Sequence, residues 1–270
     1  MQISITRLTL HIATTIIGLV AFTAPSQAHQ QWLAPNFVMQ SGEKAWLSFD
    51  HTFGDQRFLP SSGPSSYYTW WIVGPDGLKR SFPHMFLGKT RAVGEIELTD
   101  AGTYRLEAVE DMMAWTLLKI DGEDTWQPGT RADFPGKEVV RSRRYFSKSV
   151  SYVTLEAMSK AAVAGTGDPL EIVFDQHPND LYAGKAFKVR VLASGKAVAD
   201  QEVRVFADSS EGHDATDTCS TDASGYCDFE LPEPGRYLLA TNTEGETPEA
   251  DNTDGFSFGY SIVIAVQPAE

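Results

Sequence analysis

Histidine is the residue type in this chain whose placement most directly suggests chemistry. Five histidines lie beyond the first apolar stretch: His29, His51, His84, His177 and His213. His29 has a special position. Residues 8–24 are apolar apart from His11 and scattered threonines, and Arg7 is the only Lys or Arg before Lys44. The stretch closes in Pro25-Ser26-Gln27-Ala28, with small residues at the −3 and −1 positions of a cut after Ala28. This is the pattern of a secretory signal over residues 1–28, and cleavage would make His29 the first residue. An N-terminal histidine offers an α-amine and an imidazole that together chelate a divalent transition metal in one compact ring. The amine, with a pKa near ~8, gives up its proton readily at neutral pH. Such nitrogen donors suit nickel, copper, zinc and iron and discriminate poorly among them.

The other four histidines sit in turn-like contexts, where ligands are commonly displayed. His51 follows Asp50, His177 follows Asp175 and Gln176, and His213 precedes Asp214. A neighbouring carboxylate can orient an imidazole or complete a coordination sphere. His84 lies in Phe82-Pro83-His84-Met85-Phe86. His51 and His84 are the expected additional ligands from the first half of the chain, and His177 with His213 would form a second site in the second half. No H-x-x-x-H or H-E-x-x-H spacing occurs, which argues against a helix-borne zinc-protease site.

Two other groupings could carry a ligand. Tyr67-Tyr68-Thr69-Trp70-Trp71 puts aromatics on both faces of one strand, as a stacking platform or as two-sided core packing. Arg141, Arg143, Arg144 and Lys148 concentrate positive charge that could clamp a carboxylate or an anionic metal chelate, or protect a sheet edge. Hydrolase and nucleotide motifs are missing: there is no G-x-S-x-G elbow and no phosphate-binding glycine loop. No catalytic residue is expected.

The elements that must position these residues read as strands. Turn signals recur at short intervals, and Gly74-Pro75-Asp76-Gly77 between 70–73 and 78–82 predicts a hairpin. Phe187, Val189 and Val191 alternate with Lys188 and Arg190, and Val203 and Val205 alternate with Glu202 and Arg204, the period of half-buried strands. No long capped helix is evident. The expected architecture is all-β with two β-sandwich domains, 29–160 and 165–270, the second immunoglobulin-like or transthyretin-like. The break falls near Gly165-Thr166-Gly167-Asp168-Pro169.

The formal net charge of −14 repels phosphate backbones, so no nucleic-acid partner is expected. No membrane span is expected once the leader is removed. Cys219 and Cys227 are the only cysteines and flank Thr221-Asp222-Ala223-Ser224-Gly225. A hairpin with the loop 222–224 would set them opposite one another, and in an oxidising compartment they should pair.

The start His29-Gln30-Gln31-Trp32-Leu33-Ala34-Pro35 resembles the A-H-x-x-W-L-x-P opening of a bacterial periplasmic family that carries a domain-of-unknown-function label and is associated with nickel transport. Gly167-Asp168-Pro169-Leu170-Glu171-Ile172-Val173, Gly195-Lys196-Ala197-Val198-Ala199 and Pro234-Gly235-Arg236-Tyr237-Leu238-Leu239 are also similar to it. The last segments resemble carboxypeptidase-regulatory, transthyretin-like domains as well. The resemblance implies a periplasmic accessory protein for uptake of nickel, or of iron, copper or zinc, partnered by a metal transporter or a TonB-dependent system. His29 is the ligand that the family pattern implies. Two rival readings use the same residues differently. One is a structural or glycan-binding surface protein that uses the aromatic face. The other is a copper histidine-brace oxidase resembling lytic polysaccharide monooxygenases.

Overall fold

The computed structural model describes residues 30–54, 57–60, 68–110, 113–208, 214–247 and 249–269. In the first half the strands are β1 (Gln30–Pro35), β2 (Met39–Gln40), β3 (Ala45–Gly54), β4 (Tyr68–Val73), β5 (Lys79–Ser81), β6 (Met85–Leu87), β7 (Ala92–Leu98), β8 (Gly102–Glu110), β9 (Met113–Ile120), β10 (Glu123–Pro128) and β11 (Glu138–Leu155). The second half adds β12 (Glu171–Phe174), β13 (Ala186–Ala193), β14 (Lys196–Ala197), β15 (Glu202–Ala207), β16 (Asp217–Ser220), β17 (Tyr226–Glu230), β18 (Gly235–Gly245) and β19 (Phe256–Val266). The described helical structure is two single 3-10 turns, Arg131–Asp133 and Glu249–Asp251. The chain is therefore an all-β protein of packed sheets. Among the described residues no helix is long and apolar enough to cross a membrane.

Local chemistry explains the expected hairpin. β4 pairs antiparallel with β5, Trp71 opposite Ser81. The turn closes through Gly77 N donating to Gly74 O (2.9 Å) and Leu78 N donating to Asp76 Oδ1 (3.0 Å). Gly77 has φ +76°, which a residue with a Cβ adopts only under strain.

Three sheets build the molecule. One has the order β1-β3-β7-β6. A long sheet runs β16-β15-β18-β19-β11-β8-β4-β5, with β9, β10 and β2 alongside. The third holds β12, β13, β14 and β17. The first sheet packs on the β4–β8–β11 part of the long sheet around Leu33, Leu47, Ile72, Leu106, Val153 and Leu155. The third sheet packs on the β15–β18–β19 part around Ile172, Val189, Val191, Val205, Leu239 and Ile262. The alternation along β13 and β15 read from the sequence is thus the alternation that fills this second sandwich core.

The expected break at 160–165 falls in the turn between β11 and β12, yet no cut there separates two cores. β11 places Val153 and Leu155 in one and Val150 and Tyr152 in the other. It pairs antiparallel with β8 and parallel with β19, which joins the two halves into one continuous sheet.

β1 is gripped on both faces. Leu33 enters the first core. Trp32 and Ala34, on the opposite face, pack on Phe206, Leu238, Ala240 and Val263 from the far side of the long sheet. Burying side chains the size of Trp32 and Leu33 contributes about 1.5–3 kcal/mol each. Small residues on β11 and β19 let the backbone of β1 come close: Ser149 and Ser261 hydroxyls meet at 2.8 Å, and Ser151 Oγ donates to Leu33 O.

Cys219 and Cys227 form the expected disulfide. The expected hairpin between them does not form. β16 pairs with β15 in the long sheet, whereas β17 pairs with β13 in the third sheet. The turn at Asp222 is present, with Gly225 N donating to Asp222 O at 2.9 Å, but each flanking strand finds its partner elsewhere. The bond is a staple between the two sheets of the second sandwich.

Candidate functional site

The first sandwich ends in polar groups at the edge where β1 begins, rather than in more apolar side chains. On β8, Tyr104, Leu106 and Ala108 point into the core, and Glu110 continues the same parity. Tyr68 on β4 pairs with Glu110. Ser147 on β11 and Gln31 on β1 close the group. Ser147 Oγ donates to Glu110 Oε2 at 2.7 Å, and Tyr68 Oη donates to Gln31 Oε1 at 2.9 Å. The Tyr68 and Ser147 hydroxyls lie 3.2 Å apart. Two hydroxyl protons serve these three contacts, so the cluster has more acceptor atoms than protons to give them. Burial raises the pKa of Glu110, only partly offset by its hydrogen bonds, and no Lys, Arg or His is paired with it among the described residues. Burial and the nearby Glu110 charge also push the Tyr68 phenol up.

His51 lies against this cluster, with its ring edge on Tyr68 (centroids 4.7 Å apart) and Phe53 and Trp70 nearby. It is fully buried, and desolvation pushes its pKa down to about 3, so the ring is neutral. Trp70 Nε1 donates to Nδ1 at 3.2 Å. Indole N–H can only donate, so Nδ1 is the acceptor and the ring proton sits on Nε2. Nε2 is buried without a hydrogen-bond partner. The expectation of His51 as a metal ligand therefore needs correction: the acceptor nitrogen is taken by Trp70 and the other carries hydrogen.

His177 needs a similar correction. Its Nδ1 accepts from Asn179 N (3.1 Å), which leaves the proton on Nε2, 2.9 Å from Thr103 Oγ1. Asn179 Nδ2 donates in turn to Thr154 Oγ1 at 3.0 Å. Nε2 ties the second sandwich to Thr103 on β8, Nδ1 fixes the local turn through Asn179 N, and burial lowers the pKa of the ring. His84 is exposed between β5 and β6. His29 and His213 lie outside the described residues. Among the described residues no three His, Cys, Asp or Glu side chains gather as a metal-binding group.

The basic cluster is neutralised where it stands. Arg141 and Arg143 reach Glu244 at 3.2 and 2.7 Å, and Arg144 is bidentate on Asp251 at 2.5 and 2.6 Å. Lys148 is buried on Glu107 (2.9 Å) and Asp168 (2.6 Å). The expected anion clamp is thus an internal set of ion pairs. Glu107 itself, three residues before Glu110 on the opposite face of β8, also takes Lys79 (2.6 Å) and Arg105 (2.8 Å). Despite burial, these cations pull its pKa down to about 2. In the aromatic strand, Trp70 faces the core, while Trp71 turns outward under Lys79, 5.0 Å from its ring centroid.

Sequence reading alone missed Glu110, Ser147 and Gln31. The available signal was parity: an acid in the same column as Tyr104, Leu106 and Ala108 sits on the buried face of its strand.

Residues 26–245 match the model of a domain of unknown function, DUF4198. No curated protein matches the chain. Among solved structures, the D0-D1 domains of intimin are similar at 11% identity and TM-score 0.23, over 87% of this chain and 97% of that one. Chicken CNTN1 FN1-FN3 domains give 11% and 0.25 over 88% and 69%. A DUF4785 family protein from Legionella pneumophila gives 8% and 0.24 over 85% and 54%. Likenesses this distant carry no argument about what the chain does.

Proposed function

The chain belongs to the DUF4198 family, whose function is unknown, and from that starting point we propose that it is an exported, non-enzymatic carrier of a divalent transition metal. Cleavage after Ala28 leaves His29 at the amino terminus, and its amine and imidazole are the primary chelate. Nickel is the cargo that the resemblance to nickel-associated periplasmic proteins favours. The periplasm is the compartment, and a metal transporter or TonB-dependent system is the partner. Formation of the Cys219–Cys227 disulfide accords with an oxidising compartment.

One observation carries the reading. The strand that starts at the residue after His29 is held on both faces, with Trp32 and Leu33 fully buried in different cores. A terminal chelate needs a fixed point of attachment, because ordering a free tail on the metal would cost conformational entropy. β1 supplies that point within one residue of the amine.

The test is a calorimetric titration of nickel chloride, in a non-coordinating buffer, into protein verified by mass to begin at His29. A second sample carries one extra residue ahead of His29. Binding that is lost on extension supports the terminal chelate, because the extra peptide bond removes the amine. Equal binding by both samples, or by neither, overturns it.

A further inference from the structure

We propose that the cleft between the first sheet and the second sandwich is a binding site for a small zwitterion, an α-amino acid whose ammonium group rests on Asp50 and whose carboxylate rests on Arg236. The site shares no residue with the chelate proposed at His29 and stands or falls separately from it.

Register builds one wall. Ala34 on β1 pairs with Asp50 on β3, so Trp32, Ala34, Ser48 and Asp50 share the outer face of the first sheet. Arg236, at the start of β18, supplies the facing wall from the second sandwich. Residues 57–60 close over the gap. Arg57 is buried, its guanidinium 4.2 Å from the centroid of the Phe206 ring. Phe58 then takes φ +58°, a conformation that bulky residues rarely adopt. Its ring lies against Trp32 (centroids 5.8 Å apart) and beneath the Arg236 guanidinium, 4.6 Å from the centroid. Backbone held in this region gathers at ligand clamps, and clefts between packed units are common ligand sites. The result is a cavity of about 140 Å³.

Charge on the lining selects the ligand. Asp50 and Arg236 are its charged residues. Both are partly exposed, and their counter-ions stand off the lining. Arg91 takes Asp50 Oδ2 at 2.7 Å, and Asp208 takes Arg236 Nη2 at 2.8 Å and Nε at 3.1 Å. Asp50 Oδ1 and Arg236 Nη1 are left open among the described residues. Asn36 Oδ1 accepts from Ser48 N at 3.0 Å, which leaves the Asn36 amide N–H groups and the Ser48 hydroxyl available on the same lining. A lone anion would meet Asp50, and a lone cation would meet Arg236. A molecule that carries both charges a short distance apart satisfies both. One carboxylate with no His or Cys does not suit a transition metal.

Size narrows the class. A cavity of about 150 Å³ holds benzene, so the enclosed ligand has roughly six to eight non-hydrogen atoms, the range from alanine to valine or proline. Trp32 and Phe58 give its side chain an apolar seat.

The experiment titrates L-alanine, L-valine and L-proline into the mature protein by calorimetry. Isobutylamine and isovalerate serve as single-charge analogues of valine, and L-tryptophan as an amino acid too large for the cavity. At least one of the three small amino acids should bind at millimolar or lower concentration, with the single-charge analogues about tenfold weaker or worse. Asp50→Asn and Arg236→Gln should each weaken the best ligand about tenfold or more. The version extended ahead of His29 should bind as the mature chain does. Absence of binding by all three small amino acids overturns the site. So does equal binding of either single-charge analogue, binding of L-tryptophan as tight as that of L-valine, or unchanged affinity in either folded variant. Urea unfolding shows which variants are folded. The two substitutions lie on different strands, so if one fails to fold, the other decides.

Discussion

β8 carries two acids three residues apart, one buried and one half-buried, and they live in opposite worlds. Glu107 faces Lys79, Arg105 and Lys148 and is held near pKa 2. Glu110 faces hydroxyls and an amide and is pushed up. Burial acts on both, so the difference comes from what was brought in to compensate for it. A carboxylate ringed by cations is finished: it welds β8, β11 and the 160–168 segment together. One left without a cation has capacity to spare, and only the second can take up charge without breaking something.

Removing the finished acid should produce the largest effect. Glu107→Gln leaves Arg105 and Lys148 buried with too little negative charge, and should cost about 3–5 kcal/mol in urea unfolding. Glu110→Gln strands no cation and should stay within about 1 kcal/mol of wild type. Comparable losses in the two variants would erase the distinction between them.

Acid sharpens the contrast, because the two groups act with opposite sign. Glu107 has a depressed folded pKa, so its contribution is complete above the unfolded value near ~4.3 and fades as pH falls toward 2. The linked stability is about 3 kcal/mol at most. Glu110 has a raised folded pKa, so its contribution is complete below ~4.3 and is lost as pH rises through the folded value. Unfolding free energies collected from pH 2 to 7 should show a flattened acid limb in Glu107→Gln. In Glu110→Gln the acid limb should remain, and a shallow decline on its alkaline side should disappear.

The smallest effect is expected at His51. Replacing it by Phe removes an unpartnered buried donor but takes the acceptor from Trp70 Nε1. These changes oppose one another, and the melting temperature should correspond to a shift within about 1 kcal/mol. Nickel affinity should not change. A large loss of affinity in His51→Phe would return this residue to the ligand set.

Local pattern made much of the fold legible. The hairpin at 70–82 followed from its turn residues, and β13 and β15 from strict alternation. The cysteine pairing was readable, but its geometry was not, because β16 and β17 choose partners distant in sequence and no local signal reports that choice. The charged residues were harder. In a chain with 36 acidic residues, type alone does not separate Glu107 from Glu110. What separates them is which face of β8 meets β11's lysine, a fact of register. The arginine cluster misled for the same reason: its counter-charges Glu244 and Asp251 lie about a hundred residues downstream. His51 was visible as a histidine beside an acid, but Trp70, which decides its tautomer, was visible only as part of an aromatic run.

The parallel pairing of β11 with β19 has a consequence in time. A polypeptide made amino terminus first presents Trp32 long before Leu238 and Val263, the residues that must cover it. Residues 144–151 likewise wait for residues 256–263. Contacts of such sequence separation are slow to form. The emerging chain is therefore kept from completing its fold until its last strand is released. The grip on both faces of β1 therefore cannot be complete until residues 238–263 are in place.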